Sequence, residues 1–209
     1  MGTPGPPGGS RGLPRWTLVA LVPLALLALS GFYLNAHWNQ IPEKFPVHWG
    51  ANGPNRWATR TFLGVYAELI FGGGMALLLA GMGIACYYAS HRSAAGRTML
   101  KIMLTVSCLM GCVFAAIGLM PLGFPGVIVA LALGPVAIAV VVLIAQSGLA
   151  QPDEPTTEPG QPLLVPKRFG WGYTFNFKNR YAWMILGAFF GGLGVLIAFL
   201  VWAMQARRS

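Results

Sequence analysis

Residues 62–89 read FLGVYAELIFGGGMALLLAGMGIACYYA, and Glu68 is the one charged residue among them. A helix needs about 20 mostly apolar residues to cross a roughly 30 Å hydrocarbon core, and this run exceeds that. Four more runs of similar character occupy residues 16–36, 99–122, 126–145 and 182–204. The reading is an all-α membrane protein with about five transmembrane helices. The third and fourth runs are separated by Gly123-Phe124-Pro125-Gly126, a turn signal that predicts an antiparallel pair. The first run follows Arg11 and Arg15 and has the outline of a signal peptide. Its apolar character continues through Phe32 and Tyr33, so a retained helix is expected. Gly72-Gly73-Gly74, Pro23 and Pro135 are expected to mark bends.

The composition agrees. Of 209 residues, 56% are hydrophobic and only 9% are charged. A soluble domain carries about 25% charged residues. This excludes a cytosolic globular enzyme, and the hydrophobicity excludes a disordered chain. The formal charge is +9, from 14 Lys and Arg against 5 Asp and Glu. In a membrane chain, topology and anionic lipid explain such an excess without nucleic acid. With the N-terminus inside, Arg11, Arg15, Arg92, Arg97, Lys101, Lys167, Arg168, Lys178 and Arg180 fall on the inner side. Lys44, Arg56, Arg60, Arg207 and Arg208 fall outside. The positive-inside rule therefore favours a cytoplasmic N-terminus in a bacterial inner membrane, with Arg207-Arg208 fitting least well. Cys86, Cys108 and Cys112 all lie in apolar runs and read as packing residues.

The expected organisation is a flexible tail (1–15), a four-helix membrane domain (16–147) and a Pro-rich linker (148–162). An interfacial element (163–181) and a final transmembrane helix with its tail (182–209) follow. The membrane domain has an outer loop, 37–61, expected to fold as a small extracytoplasmic cap. In that loop Pro42 and Pro46 bias the chain to extended geometry. Val47-His48-Trp49 reads as a short strand, and Asn52-Gly53-Pro54 as a turn. Trp38, Trp49 and Trp57 suit the headgroup level. From Trp171 to Phe177 apolar and polar residues nearly alternate, which predicts a strand or hairpin at the inner interface. Lys167 and Arg168 then lie near lipid phosphates or a protein partner.

Glu68 is the only acid in any of these spans, and burying a carboxylate in a membrane is costly. Two readings stand: a structural tie reaching to the interface, paired with Arg60 or protonated His48, or a proton or cation site. His37, His48 and Glu43 share a loop, but their spacing matches no zinc motif. Gly187 and Gly191 form a GxxxG suited to close helix packing, within the chain or in a homo-oligomer. The chain carries no phosphate loop, Ser/His/Asp set or paired carboxylates, so no enzyme activity and no cofactor or metal are expected.

Residues 41–57, IPEKFPVHWGANGPNRW, resemble the "LPerIPvHFnasGepdrW" pattern of a bacterial membrane domain of unknown function. That domain opens the SdpI-type proteins, which confer immunity to a secreted killing peptide and signal its presence. Trp49 stands where Phe is usual, and Asn55 where an acid often stands. Residues 165–177, VPKRFGWGYTFNF, resemble a "VPKRxGxGxTxNF" element of a second small uncharacterised domain that often accompanies the first. The resemblance implies a non-enzymatic peptide-sensing or signalling protein. A peptide would bind on the outer face through Pro42, Pro46, His48, Trp49, Gly53, Arg56 and Trp57. A cytoplasmic partner would read Lys167, Arg168 and Asn176. The alternative is a small transporter or transporter subunit that uses Glu68.

Overall fold

The computed structural model describes residues 15–50, 53–123, 162–166 and 173–206. Four helices carry the architecture: α1 (Leu21–Ala36), α2 (Phe62–Ala89), α3 (Ala94–Gly118) and α4 (Arg180–Ala206). A 3₁₀ segment, Arg15–Ala20, leads into α1, and another, Met120–Leu122, follows α3. Each of the four helical runs is long and apolar enough to cross a membrane, from Thr17–Ala36 to Arg180–Phe199. The all-α membrane class expected from the sequence is therefore present. The expected fourth span, 126–145, with Pro135, lies outside the described residues, as do residues 148–161 of the linker.

The helices begin where the local chemistry permits. Thr61 caps α2, its Oγ1 accepting from the Gly64 amide at 3.0 Å, and Ser93 caps α3 by accepting from Gly96 at 3.1 Å. These bonds satisfy amides that have no partner within the helix. The Ser93 cap starts α3 five residues earlier than the expected 99. The connection from α2 is correspondingly tight and passes through His91 and Arg92 at positive φ.

Small residues set the helix packing. Gly72, Gly73 and Gly74 lie in an unbroken α2 and face three different helices. A Cβ at Gly72 would collide with Phe114 of α3, and one at Gly74 with Leu196 of α4, while Gly73 faces Leu27 of α1. On α3, a Cβ at Gly111 would collide with Pro23 of α1. In lipid, where no hydrophobic drive separates helix from tail, such close approach is the main source of association. Ser107 adds a buried interhelical bond from its Oγ to the Ala76 carbonyl, 2.9 Å. Packing of Leu27 on Gly73, Pro23 on Gly111 and Leu78 on Gly192 makes α1, α3 and α4 run one way and α2 the other. Gly187 and Gly191 meet no described atom within 4 Å of a built Cβ; α4 instead meets α2 through Gly192.

Two β-hairpins stand at opposite ends of this bundle. The first joins β1 (Lys44–Gly50) to β2 (Gly53–Thr59) between α1 and α2. The second joins β3 (Leu164–Pro166) to β4 (Tyr173–Phe175) just before α4. It packs on Cys86 and Ala95, beside the α2–α3 connection. The first hairpin shares a core with Leu34, Val65 and Ala115, with Leu119 and Leu122 packed against it, at the other end.

Candidate functional site

The cap is built on a buried foundation. Trp38–Gln40 forms a 3₁₀ turn after α1, and Ile41 then turns inward to 1% exposure. Phe45 on β1 is 2% exposed, and so is Ala58, its register partner on β2. Alternation along β1 places Phe45 and Val47 on the bundle side. Arg60 fastens the hairpin's base: its Nη1 donates to the Ile41 carbonyl at 2.9 Å, and its amide to the Glu43 carbonyl at 2.8 Å. A Cβ at Gly64 would collide with the Thr59 carbonyl, so the start of α2 sits directly against the strand end. Arg60 thus holds the loop's own backbone.

The distal half of the hairpin protrudes. Pro54, Asn55, Arg56 and Trp57 are all exposed, as is His48 across the ladder, and Trp57 keeps 58% of its surface accessible. His48 pairs in register with Arg56, and Trp49 with Pro54. Irregular register around His48 is the signature of a bulge, which re-aims side chains. His48 Nδ1 donates to Asn55 Oδ1 across 2.6 Å, which fixes the ring and leaves Nε2 pointing elsewhere. Gly53 sits at φ +104, a conformation that closes the tight turn and that side-chain-bearing residues rarely adopt. His48, Gly53, Arg56 and Trp57 are therefore brought together on one projecting element. Pro46 lies half-buried opposite Trp57, and Pro42 is exposed on the approach to β1. Asn55, which holds His48, was passed over in the sequence reading. Its position across a hairpin was the only signal, and the second strand had not been expected.

Glu68 is half-buried, about two turns into α2 below the cap. It lines a cavity of about 230 Å³ together with Phe45 and Val47 of β1, Gly64 and Val65 of α2, and Ile117, Gly118, Met120 and Pro121. His37 is set apart, its Nδ1 donating to the Tyr33 carbonyl at 2.9 Å. Among the described residues no three His, Cys, Asp or Glu gather closely enough to hold a metal ion.

At the opposite end, Lys167 and Arg168 lie outside the described residues. Asn176 is described, and its bonds run within its own segment. Its Nδ2 donates to the Pro162 carbonyl at 2.9 Å, and its amide donates to the Leu163 carbonyl at 2.8 Å. Its Oδ1 accepts from the Lys178 amide at 3.1 Å. Trp183 closes the unit, with Nε1 donating to the Phe177 carbonyl at 2.8 Å. Burial of Tyr173 on β4 raises its phenol above the usual value.

Comparison with known families follows the same division. A domain of unknown function, DUF1648, matches residues 25–67, which take in most of α1, the cap and the first turns of α2. It is a domain found in SdpI-like membrane proteins. A family of unknown function, DUF5808, matches residues 163–183, the second hairpin and the entry to α4. No curated protein and no solved structure matches the chain.

Proposed function

We propose that the protein is a non-enzymatic receptor of the bacterial inner membrane, of the peptide-sensing or immunity type. The cap hairpin faces outward and meets a peptide through His48, Arg56 and Trp57. The second hairpin faces the cytoplasm and passes the bound state to a protein partner. The observation that carries this reading is the contrast within one hairpin: a base anchored by Ile41, Phe45 and Ala58, and a tip left exposed. Surface loops held on a rigid scaffold are where recognition concentrates. A large exposed aromatic beside Arg is the composition of interface hot spots. The DUF1648 match supports the same direction.

Co-purification from detergent-solubilised membranes tests it. Wild-type protein is expected to retain a peptide that mass spectrometry detects. Trp57→Ala and His48→Ala are expected to lose it, while Glu68→Gln keeps it. A homogeneous ligand-free wild-type species would argue against the reading. A second reading, a small transporter subunit, is favoured by one observation, the Glu68 carboxylate lining a cavity in the membrane bundle. It expects the reverse sensitivity to these substitutions.

A further inference from the structure

Helices α2 and α4 pack tightly in the middle of the bundle and part toward the end that carries the second hairpin. A Cβ at Gly74 would collide with Leu196, and one at Gly192 with Leu78. Further along, a Cβ at Gly81 or Gly187 would meet nothing within 4 Å. The gap is a groove of about 570 Å³. Its described lining is apolar from Leu77 on α2 and Phe189 on α4 as far as Tyr88 and Tyr181 at the mouth.

The mouth is basic. The Arg92 guanidinium lies over the Tyr88 ring, 5.5 Å from its centre, and the Arg180 guanidinium over the Tyr181 ring at 5.0 Å. Arg180 Nη2 also donates to the Tyr181 hydroxyl at 3.2 Å. Arg92 stands at positive φ in the α2–α3 connection. Its amide donates to the Tyr87 carbonyl at 2.9 Å, and its carbonyl accepts from Arg97 Nη1 at 2.9 Å. The acids among the described residues, Glu43 and Glu68, lie at the cap end, and Asp153, Glu154 and Glu158 lie outside the described residues. We infer that this groove binds an anionic phospholipid, with one acyl chain between α2 and α4 and the phosphate at Arg92 and Arg180.

Depth and charge both select this occupant. Leu77 precedes Tyr88 by eleven positions, about 16 Å of helix and so about half of a 30 Å hydrocarbon core. The groove therefore has the depth of one leaflet. A partner helix would need a groove along the whole core, and this one closes where Leu78 meets Gly192. The volume is roughly nineteen times the ~30 Å³ share of one liquid water, room for a long acyl chain. A chain that leaves bulk lipid for the groove gains no hydrophobic energy, because lipid tails are as apolar as its walls. Selectivity therefore comes from the head. Guanidinium groups bind phosphate through paired N–H donors, and basic pockets between helices at a membrane face suit anionic head groups. A zwitterionic head brings its own cation to the two arginines and loses part of that attraction. A soluble anion would use the mouth and leave the groove to bulk lipid.

The test is native mass spectrometry of the full chain in a neutral detergent. The protein is titrated with dioleoylphosphatidylglycerol, or with dioleoylphosphatidylcholine, which carries the same chains on a zwitterionic head. Saturable binding of phosphatidylglycerol is expected, at least about 10-fold tighter than that of phosphatidylcholine. Arg180→Gln should weaken phosphatidylglycerol by about 10- to 100-fold, the usual size of a charge-assisted contact, and leave phosphatidylcholine unchanged. Gly81→Phe fills the groove without altering a charge, and the open space at that Cβ accepts the ring. It should weaken phosphatidylglycerol by about as much, even if Arg180→Gln does not fold. Glycerol phosphate, the head without its chains, should not compete at equal concentration. Trp57→Ala in the cap tip should leave lipid binding unchanged, so the lipid site and the peptide reading fail separately. Equal binding of the two lipids by the wild type would overturn the inference. So would unchanged phosphatidylglycerol binding by either folded groove variant, full competition by glycerol phosphate, or a lipid-free dimer.

Discussion

Asn176 shows what a polar side chain near a membrane surface does when its partners are its own chain. Its amide group and backbone bridge residues 162–163 to the turn that opens α4. Asn176→Ala removes both side-chain bonds while leaving the backbone contact. A loss of about 1–3 kcal/mol is expected, seen as a lower melting temperature of the detergent-solubilised protein. The resemblance of residues 165–177 to the VPKRxGxGxTxNF element suggested Asn176 as a contact for a partner. The bond to Pro162 spans 14 residues, and no local pattern encodes it. Arg60 is similar. Its spacing from Glu68 suggested a shared helical face, but α2 starts only at Phe62, and Arg60 lies in the preceding turn with its Nη1 on the Ile41 carbonyl. In the sequence Gly72-Gly73-Gly74 reads as the mark of a bend, and α2 runs through these glycines without a break. Their use as contact points for three neighbouring helices became visible only with the neighbours in place.

At the scale of elements, the transmembrane runs were the most legible feature, because 20 consecutive apolar residues have few other uses. The hairpins were half legible. Part of the β1 strand shows in Val47-His48-Trp49, and β4 in the near-alternation from Trp171 to Phe177. The β2 strand does not, since Gly53-Pro54-Asn55-Arg56 has neither alternation nor β-branched residues. It forms because Ala58 is buried opposite Phe45 and the Gly53 turn fixes the register. Phe45 is therefore the residue on which the cap depends. Phe45→Ala is expected to cost about 3–5 kcal/mol locally, by losing the ring and leaving a cavity. Hydrogen exchange should then accelerate at amides 44–59, while the amides of α2 beyond Leu69 remain protected. Equal acceleration throughout α2 would mean that cap and bundle unfold as one unit.

For the whole molecule, the account is of two hairpins at opposite ends of an apolar bundle, one anchored with an exposed tip and one folded on the α2–α3 connection. The opening run of residues 62–89 is the axis of that arrangement, since α2 touches each of the other described helices. The excess of Lys and Arg supports the proposal that the tip lies outside. The most direct measurement uses Cys86→Ala, Cys108→Ala and Cys112→Ala together, with a single new cysteine introduced by Asn55→Cys or Lys178→Cys. A membrane-impermeant maleimide is then applied to intact spheroplasts and to opened vesicles. The account predicts labelling of Asn55→Cys in intact spheroplasts and of Lys178→Cys only after the membrane is opened. Labelling of both from outside, or the reverse pattern, would contradict it.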